Sequence, residues 1–195
     1  MPNQRFHLAE TRILERLKNE LPTNLYYHGY HHTLDVLEAA MVVATAENVS
    51  DEDIRLLRIA VCYHDAGFIY VYKGHEVKSC EMVREYLPEL KFTEKEMDSI
   101  CSMIMATRIP QEPQNLLGQI IADADLDYLG RDDVFEIADT LKQELKEFID
   151  LHDEKIWIQM QISFLKSHRY HTLFSIENRR PKKVAYLKLL EEKLH

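Results

Sequence analysis

Glycine and proline are scarce in this chain of 195 residues, at 5 and 6 occurrences, which argues against the turn-dense sequences of sandwiches and barrels. Alternating apolar and polar runs are missing as well. Apolar residues recur instead at three- and four-residue spacing, the period of helices packed on one another. Cysteine is limited to Cys62, Cys80 and Cys101, an odd number with no CxxC spacing, so a zinc ribbon is excluded and the three read as reduced, mostly buried thiols. No apolar stretch approaches the length of a membrane span, and the N-terminal segment reads as an amphipathic helix rather than a signal sequence. A cytoplasmic protein without membrane association is expected. Basic residues are outnumbered, 24 Lys and Arg against 33 Asp and Glu, for a formal charge of -9. Such a chain repels a long nucleic acid and accommodates a small ligand more easily. There is no repeat of fixed period and no low-complexity segment, and the length suits one well-buried domain.

What the chain has in quantity is amphipathic helix. The first is expected to run to about Leu21, presenting Leu14, Leu17 and Leu21, with Pro22 ending it. A second starts near Tyr30 or His31 and carries Leu34, Leu37, Met41 and Ala44. Ser50 caps a third, with Asp53 in its first turn, that stops near Gly67. After an aromatic and polar loop, helices are expected over residues 76–87, from a Thr93–Glu96 capping box through Met97, Ile100 and Ile104, and from Asn115 to about Leu129, where Gly130 ends it. Two or more fill residues 134–166, and Pro181 introduces the last. The fold class is all-α, a helical bundle forming a single domain over residues 1–195.

Polar residues interrupt these apolar patterns at several places. His64-Asp65 closes the stripe Ile54, Leu57, Val61, so His64 falls at a buried position one turn beyond Val61. A core histidine bonded to a backbone carbonyl is the plain alternative, but a buried carboxylate beside it needs a cation. His152-Asp153, set among Asp150, Glu154 and Lys155, reads as a solvated helix face and shows that the dipeptide alone carries no chemistry. His28 and His32 lie four residues apart and project the same way on a helix, with His31 turned outward; surface or capping histidines are the alternative. The run from Ile120 to Leu129 holds Asp123, Asp125 and Asp127, but Tyr128 and Val134 stand where a calcium loop has its turn glycine and closing glutamate. Asp125, one turn from both Ile121 and Leu129, is best placed to face inward, Asp123 is next, and Asp127 is expected in solvent.

Together His32, His64, Asp65 and Asp125 make a mixed imidazole and carboxylate set that suits a divalent ion of manganese, iron, cobalt, nickel, magnesium or zinc. Whether Asp123 or Asp125 is its last member stays open. Tyr26, Tyr27 and Phe68 offer a base-stacking wall or ordinary core packing. Arg169, Arg180 and Lys182, in a basic stretch near the C-terminus, either receive a substrate phosphate or form a solvated face.

The order H...HD...D, with Tyr27-His28-x-x-x-His32-Thr33 ahead of it and Ala124-Asp125-Leu126 behind it, resembles the HD-domain superfamily of metal-dependent phosphohydrolases over roughly residues 25–131. That resemblance implies a helical metal-site core over about 25–131, with the C-terminal helices of 132–195 packing on it. It implies His32, His64, Asp65 and Asp125 as metal ligands, and hydrolysis of a small phosphoester, a nucleotide or cyclic nucleotide, by metal-activated water, with Asp65 also taking part in catalysis. The opening block is similar to the YHN-x-x-H signature of cyclic-nucleotide phosphodiesterases, whose first His protonates the leaving group. That role would fall on His28, although Gly29 stands in place of the Asn. The residues after His64-Asp65 are Ala-Gly-Phe and lack the Glu-Asp of alarmone hydrolases. Gly74-His75-Glu76 with Ser79 is similar to the HE-x-x-S element of many HD proteins, so His75 and Glu76, with Asp123, are candidates to line the site or serve a second metal. An ordinary helix N-terminus is the alternative for them. Ala106-Thr107-Arg108 ends the middle helix without a His, which argues against a full dinuclear site. A nucleotide sensor without turnover and a di-iron oxygenase are the rival readings, and a homo-oligomer is left open.

Overall fold

Helix boundaries follow the capping residues. In the computed structural model, which describes residues 2–151 and 153–194, α1 (Pro2–Glu20) ends ahead of Pro22 and α2 (Tyr30–Ala46) follows after a turn. The Ser50 hydroxyl accepts from the Asp53 N–H at 3.2 Å and opens α3 (Asp51–Tyr63), whose first turn sets Asp51, Glu52 and Asp53 at the positive end of the helix dipole. α4 (His75–Tyr86) is entered through Gly74 in the left-handed conformation. α5 (Glu94–Ala106) carries the Thr93–Glu96 capping box, and Arg5 of α1 pairs with that same Glu96. Asn115 caps α6 (Leu116–Asp125). With α7 (Val134–Leu145), α8 (Glu154–Ser167), α9 (Leu173–Asn178) and α10 (Arg180–Leu194) there are ten helices and no strand among the described residues. The class is all-α. None of these helices is long and apolar enough to cross a membrane.

The main core joins α1 to α6. Leu57 and Val61 of α3, Ile100 and Ile104 of α5, and Ile120 and Ile121 of α6 are completely shielded from solvent, so truncating any of the leucines or isoleucines to Ala would cost about 2–5 kcal/mol. α7, α8 and α10 build a second apolar cluster with Tyr27, Leu126 and Leu129, in which Ile158, Leu165 and Leu190 are buried. The three cysteines are free thiols.

Several elements differ in detail from their sequence pattern. α1 turns the row Phe6, Ala9, Ile13 and Leu17 to the core, leaving Leu14 and Leu21 at its margin, and α2 buries Val36, Ala40 and Val43 while Leu34 is exposed. A wide apolar stripe satisfies helical spacing in more than one row, and the neighbouring helices select which row is covered. α3 stops at Tyr63 rather than near Gly67, because the chain enters a 3-10 turn at Ala66–Ile69. α6 likewise stops at Asp125, short of Leu129, and gives way to a 3-10 turn at Asp127–Gly130. α9, capped by Thr172, is too short to show a period in the sequence.

Two glycines permit the close approaches that bring the ends together. A Cβ on Gly67 would lie 2.0 Å from the His75 carbonyl oxygen at the start of α4, and one on Gly130 would lie 2.5 Å from that of Arg179. Any side chain at either position would push a helix away from the turn beneath it.

Candidate metal centre

The centre begins where α3 ends. His64 is fully buried, and its Nδ1 donates to the Val61 carbonyl at 2.7 Å, the bond of an ordinary core histidine. That bond commits Nδ1 as the donor and leaves Nε2 facing carboxylates. Ser79 of α4 clasps the following turn: its buried hydroxyl donates to the His64 carbonyl at 2.9 Å and accepts from the Gly67 N–H at 2.8 Å. The Gly67 contact and this clasp fix where the His64-Asp65 backbone sits.

His32 from the first turn of α2, His64, and Asp125 from the last turn of α6 bring ligand atoms within 4.8 Å of one another. His32 Nε2 lies 3.1 Å from Asp125 Oδ1 and 3.6 Å from Asp65 Oδ2; His64 Nε2 lies 3.5 Å and 3.3 Å from the same two oxygens. Asp65 therefore rests against both imidazoles of the triad. Its other oxygen, Oδ1, is 3.3 Å from His75 Nε2, while His75 Nδ1 donates to the Tyr72 carbonyl at 3.2 Å. Glu76 Oε1 is 3.8 Å from the same His75 nitrogen.

Burial opposes charge at His64, Asp65 and Asp125, and neighbouring groups offset it. Desolvation disfavours an imidazolium at His64, but the Asp65 and Asp125 carboxylates outweigh it and hold the pKa well above the usual histidine value. Desolvation likewise opposes ionised Asp125, yet His32 and His64 bring its pKa down to about 2. Asp65 is held well below the carboxylate range, against its burial, by His64 and His75. Even so, His64 Nε2 and Asp65 Oδ2 are buried with no hydrogen-bond partner. Two imidazole nitrogens and two carboxylates converging in this way, with no thiolate, fit a divalent cation that would satisfy both orphaned atoms.

His28 stands beside the triad and is held by a residue that no sequence motif marks. Its Nδ1 is 2.5 Å from Oε1 of Glu144 in α7, which also accepts from the Tyr72 hydroxyl at 3.1 Å. The second oxygen, Oε2, accepts the backbone N–H groups of Tyr27 at 2.8 Å and His28 at 3.0 Å. Glu144 is fully buried, and burial opposes its charge, but His28 overcomes this and lowers the pKa. The available signal is slight: Glu144 lies one turn after Leu141, on the same face of the helix as that apolar residue.

Other expected residues are placed elsewhere. Asp123 is buried but committed, accepting from the His171 N–H at 2.9 Å and from the Thr172 N–H and hydroxyl at 2.8 and 2.7 Å, so it pins the segment before α9 rather than serving a second metal. Asp127 is buried rather than solvated: the 3-10 turn after α6 shifts the period and aims it at Arg179, whose Nε is 2.7 Å away. Arg169, Arg180 and Lys182 are exposed, and Lys182 pairs with Asp132 at 2.7 Å. Phe68 is buried between two imidazoles, its ring centroid 3.9 Å from that of His75 and 4.5 Å from that of His28, which makes it a packing spacer rather than a base-stacking surface. His31 is exposed. His152 lies outside the described residues, and Asp153 is exposed and caps α8.

A cavity of about 280 Å³ adjoins the centre. Tyr27, His28, Asp65, His75, Glu76 and Asp125 line one part of it, and mostly apolar side chains of α7, α8 and α10, joined by Ile109, Leu126 and Leu129, line much of the rest. Neither Lys nor Arg is among the lining residues, so none of the three basic residues expected to bind phosphate reaches it.

An all-helical bundle that gathers two His and two Asp at its helix ends is a candidate metal-dependent hydrolase fold. The HD domain family matches residues 29–127, just over half of the chain, and the chain belongs to that family, part of the HD metal-dependent phosphohydrolase superfamily. Its members are mostly metal-dependent hydrolases. No curated protein matches the chain. The matched segment starts one residue after His28 and ends before α7, so Glu144 and the cavity-lining residues of α7, α8 and α10 lie outside it.

Proposed function

We propose that this HD domain protein is a metal-dependent phosphohydrolase acting on a small phosphoester. The observation that carries the reading is the triad of His32, His64 and Asp125, with Asp65 against it, bordering a cavity that His28 also lines. A divalent cation held by these residues would lower the pKa of a water toward neutrality and offset charge on the phosphoryl oxygens. His28, with Nδ1 engaged by Glu144, keeps Nε2 available to donate a proton to the departing oxygen. Asp65, reaching both His64 and His75, orients the two rings toward the same region. The sequence pattern suggests a nucleotide or cyclic nucleotide; with no basic side chain lining the cavity, an ester with a single phosphate suits it better than a nucleoside triphosphate.

The contact of Asp65 Oδ1 with His75 supports a second reading, a di-iron oxygenase in which Asp65 and His75 would help hold a second iron. Elemental analysis separates the two when wild type is compared with Asp125→Asn after loading with each of the six candidate metals, followed by a phosphoester screen and an oxygen electrode. Bound metal lost in the variant, together with phosphate release, supports the hydrolase. Two irons per chain with oxygen uptake favour the oxygenase, and tight nucleotide binding without turnover under any metal favours a sensor.

A further inference from the structure

We propose that the substrate is the phosphoric monoester of a short apolar alcohol, whose hydrocarbon part is received by the cavity wall that α7, α8 and α10 supply. The inference rests on the phosphohydrolase reading for the phosphate end and on the cavity for the other. Leu141 and Leu145 of α7 with Trp157, Met160, Phe164 and Leu165 of α8 make that wall. Among the polar groups of the lining, the Tyr186 hydroxyl donates to Gln161 Oε1 and the Thr107 hydroxyl donates to the Ile104 carbonyl at 2.8 Å, while the buried Tyr27 hydroxyl is without a partner. A nucleobase or ribose placed there would give up hydrogen bonds to water and regain few. An alkyl or aryl group would gain from leaving water. At about 280 Å³ the cavity lies at the small end of ligand pockets, which run from about 300 to 1,000 Å³. The absence of Lys and Arg from the lining limits the charge that can enter to what the metal centre offsets. Because α7, α8 and α10 lie outside the segment that matches the HD family, the part of the lining that they supply is where this chain's own specificity is built.

In the reaction, the oxygen of water bonds to phosphorus as the ester P–O bond breaks. The alcohol departs with a proton from His28, and the proton lost by the attacking water passes back to His28, so that ester and water become alcohol and inorganic phosphate.

Trp157 supplies a direct readout, since it is the chain's one tryptophan, is buried, and lines the cavity. The test titrates metal-loaded protein with non-hydrolysable straight-chain alkyl phosphonates from ethyl to octyl, following Trp157 fluorescence, and measures kcat/KM for the matching alkyl phosphates beside adenosine monophosphate and its cyclic diester. Each added methylene should tighten binding about threefold to fourfold, equivalent to about 0.8 kcal/mol, until the cavity is full. The values of kcat/KM should climb in parallel, and the nucleotides should compete weakly. Leu141→Gln should flatten the series. Affinity independent of chain length, or nucleotides preferred over every alkyl ester, would overturn the proposal while phosphate release kept the hydrolase reading intact. Chain-dependent binding with no turnover under any metal would do the reverse: the apolar ligand site would stand, and the hydrolase would fall.

Discussion

Glu144 Oε1 lies 2.5 Å from His28 Nδ1, although the two residues are 116 positions apart and belong to different parts of the bundle. The same carboxylate accepts two consecutive backbone N–H groups, so one buried side chain sets both the path of the chain at Tyr27-His28 and the orientation of the His28 ring.

Glu144→Gln tests this control. An amide that keeps an acceptor toward Nδ1 must turn its NH2 toward the Tyr27 and His28 N–H groups, donor against donors. Phosphoester turnover should fall about 10–100-fold with metal content retained, and stability should drop by about 1–3 kcal/mol. His28→Gln should slow turnover by about 100-fold or more and also spare the metal. Wild-type rates in Glu144→Gln would remove Glu144 from the positioning of His28.

Metal removal is expected to destabilise the protein as well as silence it. A ligand that binds only the folded state at a hundred times its Kd adds about 2.7 kcal/mol, so chelation should lower Tm by several degrees. Asp125→Asn, nearly isosteric, should lose this metal-dependent increment while folding normally, and His64→Ala should lose it too. A Tm that ignores both chelator and added metal would argue against the centre.

The Ser79 clasp links the His64-Asp65 turn to α4 through two buried hydrogen bonds. Ser79→Ala leaves the Gly67 N–H without its acceptor and should cost about 1–3 kcal/mol in urea unfolding. Gly67→Ala should cost at least as much, because its Cβ would sit 2.0 Å from the His75 carbonyl oxygen. Both variants should bind metal more weakly than wild type; unaltered metal affinity in both would show that the turn does not need these restraints.

His168 gives a pH dependence with a definite sign. Burial, helped by the Lys183 ammonium and by His171, lowers its pKa from 6.5 to about 3, with Asp125 opposing. Between those values the unfolded chain holds a proton that the folded protein does not, so stability is present above the unfolded pKa and declines as pH falls below it. From pH 7 to pH 5 the loss should be about 1–2 kcal/mol, seen as a lower urea midpoint. His168→Gln, which still offers Lys183 an acceptor, should lose less over the same range. Identical slopes for the two proteins would assign the acid sensitivity to other groups.

The order of chemistry-bearing residues and the helical period were legible because both are local. His64 closing the Ile54, Leu57, Val61 stripe is a statement about one helix, as is the Thr93–Glu96 cap, and the structure has both. Asp127 was misplaced for the same reason. A helical period carried past Asp125 puts it in solvent, whereas a 3-10 turn puts it under Arg179.

The sequence by itself determined the all-α class, the HD family and the residue types from which a metal centre is assembled, since periodicity, capping and motif spacing are written within single helices. Only the tertiary structure decided that Asp125 rather than Asp123 meets His32 and His64, that Glu144 holds His28, and that α7, α8 and α10 wall the adjoining cavity with apolar side chains. Those outcomes depend on which faces of separate helices are pressed together, and helical spacing leaves that choice to packing.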